Sequence, residues 1–237
     1  MFENFDKIIN KKIIVVAPHA DDETLEAGGL LAKLSSLGWE THVLFATISG
    51  FPAMFRNQHS RSEDRNDEVV SAMKVLGVSG YKVLFRGEEK HLKLDTVPQT
   101  VLISFIEKNI KKIKPSICVM PGRGHYHQDH RALSDACVAA LRPAPHSSSR
   151  PFVPIVIAYG HSSLGWGGDQ FGFQPSVFVD ISDHIDTKLK ALECYTSQLC
   201  LPPHPRSLEK TKMFSSIWGN HCGVEFAEPF ECIRFVF

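Results

Sequence analysis

Two short stretches hold most of the side chains in this sequence that could do chemistry. The first is APHADDETLEAGG at residues 17–29, in which His19 is followed by Asp21, Asp22 and Glu23. It directly follows the apolar run Ile13-Ile14-Val15-Val16-Ala17. Burying a charge is costly unless something pairs with it, so a histidine and three acids at the end of a buried strand require open water or a cation. The second stretch is GRGHYHQDH at residues 122–130, whose last six residues contain three of the chain's twelve histidines. Imidazole and carboxylate groups are the usual donors of catalytic zinc, which takes three protein ligands and keeps one position for water. His19 and either Asp21 or Asp22 offer two ligands from one turn, and His130 or His127 offers the third from the other. Neighbouring residues point in different directions. One aspartate can therefore bind the ion while the other accepts a proton from the water.

A phosphate cradle is the competing use of a strand-to-helix turn. It needs glycines close to the phosphate and open N–H groups at the helix start. Here the turn carries Asp21, Asp22 and Glu23, which repel phosphate, while Gly28 and Gly29 come too late and read as packing residues. Scattered histidines such as His42, His59, His146, His184 and His204 read as ordinary solvated or core residues. Two clusters that converge on one place are a different matter.

Convergence depends on the elements that carry the clusters. Strands are expected at 13–17, 41–47, 81–85, 116–120 and 153–159, with helices at 27–38, after the charged stretch 56–68, at 100–113 and at 131–142. Gly38 and a glycine in AMKVLGV serve as helix stops. This alternation is the signature of βαβ units building a parallel sheet. Beyond residue 160 the rhythm breaks into a Gly- and aromatic-rich loop, a short strand VFVDI, a helix DHIDTKLKALECYTSQ, a proline-rich turn LPPHPR and a last strand PFECIRFVF. In open α/β sheets ligands bind beyond the carboxyl ends of strands, where strand order reverses. In the common order that point lies between the first and fourth strands, which are the two that end in the clusters. The fold expected is a single Rossmann-like α/β domain over 1–237, with a mostly parallel sheet flanked by helices, the metal site at the strand C-terminal edge, and a decorated C-terminal third from about 160.

Composition narrows the partners. The chain has 237 residues, 43% of them apolar and 22% charged, which is ordinary for a globular protein. Lys+Arg and Asp+Glu both number 26, so no basic excess marks a nucleic-acid or anionic-membrane surface. The six cysteines form no CxxC pair and read as buried reduced thiols. The N-terminus MFENFDKIINKK is too polar for a signal peptide, and no apolar stretch reaches the roughly 20 residues of a membrane span. A cytoplasmic protein with a small-molecule substrate is the expectation.

PHADDE followed about a hundred residues later by HQDH resembles the paired motifs of the PIG-L/LmbE family of zinc-dependent N-deacetylases, usually written (P/A)HPDDE and HPDH. RNDEVVSAMKVLGV (65–78), ALECYTSQ (191–198) and GVEFAEPFECIRF (223–235) extend the likeness over nearly the whole chain. Ala20 and Gln128 stand where proline is usual, and neither change removes a ligand. The resemblance implies one zinc per chain on His19, Asp22 and His130, with iron(II) or another divalent ion able to use the same donors. It implies Asp21 as general base, protonated His127 facing the substrate carbonyl, Asp129 orienting that imidazole, and Arg65 reaching the substrate's polar head. Trp166, Phe171 and Phe173 could stack on a sugar ring. The implied reaction is hydrolysis of the N-acetyl group of an N-acetylglucosamine-type sugar, and self-assembly is a family habit. The alternatives are a metal-dependent hydrolase of another amide or a phosphoester, and a non-catalytic carbohydrate-binding descendant.

Overall fold

The computed structural model describes residues 10–49, 62–143, 152–160 and 172–236. Its elements run β1 (Lys12–Ala17), α1 (Asp22–Ser36), β2 (Glu40–Ile48), α2 (Ser62–Leu76), β3 (Gly80–Arg86), α3 (Gln99–Ile113), β4 (Ile117–Pro121), α4 (Gln128–Ala140), β5 (Ile155–Tyr159), β6 (Val177–Asp180), α5 (Ile185–Glu193), α6 (Leu208–Asn220) and β7 (Ala227–Phe235). The strands form one seven-stranded sheet in the order β3-β2-β1-β4-β5-β7-β6. The first five pair in parallel, and β7 runs antiparallel to both β5 and β6. This is an α/β fold with a mostly parallel sheet, as the alternation predicts.

The central strand shows why. Side chains alternate across a strand, so a sheet covered on both faces needs an unbroken apolar run. Ile13, Val15 and Ala17 enter the core beneath α1, α2 and α5, while Ile14 and Val16 enter the core beneath α3 and α4. All five are fully buried. Gly38 and Gly77 stop their helices with φ of 74° and 68°, a conformation in which a Cβ is strained. From β1 the chain goes on to β2 and from the adjacent β4 to β5, so it leaves these two neighbouring strands in opposite directions. The crevice of the fold therefore opens between β1 and β4.

Three features differ from the expected elements. First, α1 starts at Asp22 and not at 27, so the acids form its first turn, where they suit the positive end of the helix dipole. The helix then breaks at Ala27, whose φ of −140° is not helical. Past the break, the buried Glu228 of β7 accepts the backbone N–H groups of Gly29 (2.7 Å) and Leu30 (2.8 Å), and its charge pairs with Lys188 at 2.7 Å. A Cβ on Gly29 would lie 2.6 Å from Ile181, so this glycine packs against the end of β6. Second, α6 was not expected. Its start is marked by Ser207, whose hydroxyl accepts the Lys210 N–H at 3.2 Å. Third, Cys118 and Cys137 are buried thiols, whereas Cys222 and Cys232 are exposed. Among the described residues no helix is long and apolar enough to cross a membrane.

Candidate metal centre and active site

The turn after β1 is built around an unusual backbone. Asp21 has φ 120° and ψ −28°, a region that side chains other than glycine rarely adopt. The carbonyl of Asp21 accepts the N–H groups of Thr24 (3.1 Å) and Leu25 (2.9 Å), which starts α1. Its own N–H donates to Glu23 Oε2 at 3.1 Å. Glu23 is in turn fixed through Oε1 by the hydroxyls of Thr24 (2.5 Å) and Tyr195 (2.6 Å). On the other side of the peptide, Arg65 Nη2 donates to the Ala20 carbonyl. The strained turn is thus clamped from α1, α2 and the segment after α5. Its result is that Asp21 and Asp22 leave the chain in different directions.

The turn after β4 faces it. His127 caps α4, accepting the Asp129 N–H at Nδ1 (3.1 Å), while its own N–H donates to His125 Nδ1 at 3.0 Å. Asp129 is anchored by the Leu94 N–H, which donates to Oδ1 at 2.9 Å. Across the crevice, Asp22 Oδ2 lies 3.2 Å from His19 Nδ1 and 3.2 Å from His130 Nε2. It also accepts the His19 N–H at 3.0 Å. His19 Nε2 lies 2.9 Å from Asp129 Oδ2. One donor atom each from His19, Asp22 and His130 falls within 4.8 Å of the others, as do donors from His19, His127 and Asp129. The two clusters meet where strand order reverses.

The electrostatics of the cluster favour positive charge. Burial would lower the basicity of His19, but hydrogen bonds and charge from Asp129 and Asp22 raise its pKa to about 9. Burial would raise Asp22, yet the His130 and His19 imidazoles hold it well below the usual carboxylate range. Asp21 is raised by burial, an effect partly offset by the Arg206 guanidinium. Burial also pushes Glu23 up to about 7. His127 is drawn down to about 4 by burial and by the positive charge on His19. The buried carboxylates thus draw positive charge toward the imidazoles. A divalent ion supplies such charge, and two imidazoles with one carboxylate are a donor set suited to it.

The expected residues are not all used as expected. His19, Asp21, Asp22, His127, Asp129 and His130 are gathered at one place. The Asp129 carboxylate, however, bonds His19, and it is the Asp129 backbone N–H that reaches His127. Arg65 is buried in α2, with Nη1 on Glu68 Oε2 (3.0 Å) and Ser197 Oγ (3.1 Å), and its guanidinium lies 5.6 Å from the centre of the Tyr195 ring. Trp166 and Phe171 lie outside the described residues. Phe173 packs against the backbone at Gly160 and edge-on to Trp218. Sequence reasoning missed Arg206, whose Nη1 sits 3.4 Å from Asp21 Oδ2, and His91, whose ring centre is 5.2 Å from that of His19. Nothing local marked His91, and the only signal for Arg206 was its place at the end of LPPHPR.

Sheet, crevice and donor set suit an enzyme that works with a divalent ion, and the family match makes the class that of the deacetylating hydrolases: the chain belongs to the PIG-L family, described as GlcNAc-PI de-N-acetylase, whose model matches residues 14–141. Among its relatives, the probable N-acetyl-alpha-D-glucosaminyl L-malate deacetylase 2 of Bacillus cereus is 27% identical, covering 80% of this chain and 84% of that one. The diacetylchitobiose deacetylase of Thermococcus kodakarensis is 25% identical over 95% of this chain and 83% of its own length. A conserved protein of Thermus thermophilus superposes with a TM-score of 0.74 at 31% identity, covering 95% of this chain and 96% of that one.

Proposed function

We propose that this protein is a metal-dependent N-deacetylase that hydrolyses the acetamide of an N-acetylglucosamine-type sugar, with His19, Asp22 and His130 holding the ion and zinc as the ion. One observation carries the reading: a three-donor set at the β1–β4 crevice has beside it a further buried carboxylate, Asp21, that is not one of the donors. An ion on those donors would polarise the acetyl oxygen and make a water acidic near neutral pH. The remaining work falls to the chain.

Asp21 accepts the proton of the attacking water as its oxygen bonds the acetyl carbon. The C–N bond then breaks, and Asp21 returns the proton to the departing amine. A basicity raised by burial suits a group that must both take the proton and give it back. His127 accepts the Asp129 N–H at Nδ1, which places the ring proton on Nε2. A neutral imidazole can therefore donate to the developing oxyanion, and the protonated ring expected from the resemblance is not needed. Losing one such donor costs about a hundredfold or more in turnover. Asp129 fixes His19 and His127, and Arg65 acts here as a brace on the Ala20 carbonyl. The site draws on residues from 19 to 206, which supports treating 1–237 as one working unit.

The test is a panel of N-acetylglucosamine conjugates incubated with zinc-loaded protein, with primary amine and acetate both measured. Equimolar release of the two supports the assignment. Absence of both from every member, with the ion bound, refutes it. Release of inorganic phosphate from phosphoesters would replace it with the other hydrolase.

A further inference from the structure

Two guanidinium groups flank Asp21, and they are held in opposite ways. Arg65 is buried, and its Nη atoms are shared among the Ala20 carbonyl, Glu68 and Ser197. Arg206 makes one contact, Nη1 to Asp21 Oδ2 at 3.4 Å. Among the described residues its guanidinium has no other hydrogen-bond or ion-pair partner. The Arg206 side chain is 30% exposed and that of Asp21 is 5% exposed, so the group reaches from the buried base to the outside of the crevice.

The backbone beneath Arg206 is held by a turn of its own. Pro202, Pro203 and Pro205 restrict the turn. The Arg206 N–H donates to His204 Nδ1 at 3.1 Å, the Ser207 N–H to the His204 carbonyl at 3.0 Å, and the His204 N–H to the Leu201 carbonyl at 3.1 Å. The next residue caps α6. An arginine built only to hold Asp21 would grip both carboxylate oxygens, because bidentate pairs are the strong and oriented ones. One long contact from one nitrogen does that poorly. The carboxylates at the crevice floor, Asp21, Asp22, Glu23 and Asp129, repel an anion, and the imidazoles there are engaged with them or reserved for the ion. Arg206 is the group that can receive one.

We propose that Arg206 is the recognition group for an anionic substituent of the substrate, a carboxylate or phosphate carried close to the acetamido group. This rests on the amino-sugar N-deacetylase reading and adds the charge class of the substrate. The anion takes the N–H groups that Asp21 leaves unused, so the sugar is oriented from its charged side while the acetamide lies over the base and the ion.

Zinc-loaded wild-type and Arg206→Gln proteins are compared on three N-acetylglucosaminides that differ only in aglycone: methyl, carboxylate-bearing and phosphate-bearing. KM is taken from amine release, and binding is measured separately by calorimetry. The wild type is expected to favour at least one charged glycoside over the methyl glycoside by about tenfold or more, the scale of hydrogen bonds to charged groups. Arg206→Gln should bring that ratio close to one, and Arg206→Lys should keep part of it. The glycoside that responds tells carboxylate from phosphate. No charge preference in the wild type, or a loss equal on all three substrates and confined to kcat, overturns the proposal. Arg206-dependent binding of a charged glycoside without amine or acetate from any of the three leaves the anion site standing and removes the deacetylase reading. Amine release from all three without preference does the reverse.

Discussion

Replacing Asp21 by alanine and by glycine separates the backbone strain at this position from the chemistry of its carboxylate. Both substitutions remove the proposed base and its contact with Arg206, so they differ only in whether a Cβ must sit at φ 120°. Strained positions of this kind cost about 1–3 kcal/mol. Glycine loses about 0.5–1 kcal/mol through its greater freedom in the unfolded chain. The balance leaves Asp21→Gly more stable than Asp21→Ala by about 1 kcal/mol, the reverse of the order at an ordinary position. For a chain of this size that is a Tm difference of about 2–4 °C. The measurement is thermal and urea unfolding in excess chelator, so that ion binding does not mask the difference. Turnover of the ion-loaded proteins is the second readout, and both should lose about a hundredfold to ten-thousandfold, the range for a missing general base. Alanine as stable as glycine would mean that the turn relaxes without cost. A glycine variant that keeps near-normal turnover would mean that the base is elsewhere, with Glu23 the next candidate.

Asp22→Asn and His130→Ala should each lose the ion, seen by metal analysis. The rise in Tm that saturating zinc gives the wild type, worth about 2.7 kcal/mol at a hundred times Kd, should vanish in both. Tyr195→Phe removes the 2.6 Å bond to buried Glu23 Oε1, which keeps the Thr24 hydroxyl, so the cost is that of one hydrogen bond, about 1 kcal/mol. Because Glu23 supports the Asp21 backbone, kcat should fall more than KM. Arg65→Met leaves the Glu68 carboxylate buried without its counter-charge, and breaking a buried pair costs about 3–5 kcal/mol. A pure KM effect with unchanged unfolding would restore Arg65 as a substrate contact.

The sheet was readable from the sequence because its causes are local. Ile13–Val16 is apolar at every position, as a strand buried on both faces must be, and glycines stop two of the helices that follow. The meeting of His19 with His130 followed from strand order alone. What could not be read depends on long-range pairing. The first turn of α1 looked like a loop because its acids were assigned to the ligand turn alone, whereas the fold starts a helix on them and fixes Glu23 through Tyr195, far along the chain. Arg65 was expected at the substrate's polar head because the partners that bury it, Ala20 and Ser197, lie 45 and 132 residues away. Arg206 is separated from Asp21 by 185 residues, and no spacing rule links them. The Asp129 carboxylate was assigned to its neighbour in sequence, whereas the fold gives it to His19.

The repair of α1 by Glu228 has a consequence for how the enzyme is made. Every proposed ion ligand lies before residue 131, and the family match ends at 141. Yet the helix that presents Asp22 is broken at Ala27, and the two N–H groups past the break find their acceptor only on the last strand. During synthesis the donors emerge early on a support that is not finished until β7 has entered the sheet. A ribosome-bound chain lacking β7 would carry the full ligand list on an unfinished scaffold, and competence would come with the final strand.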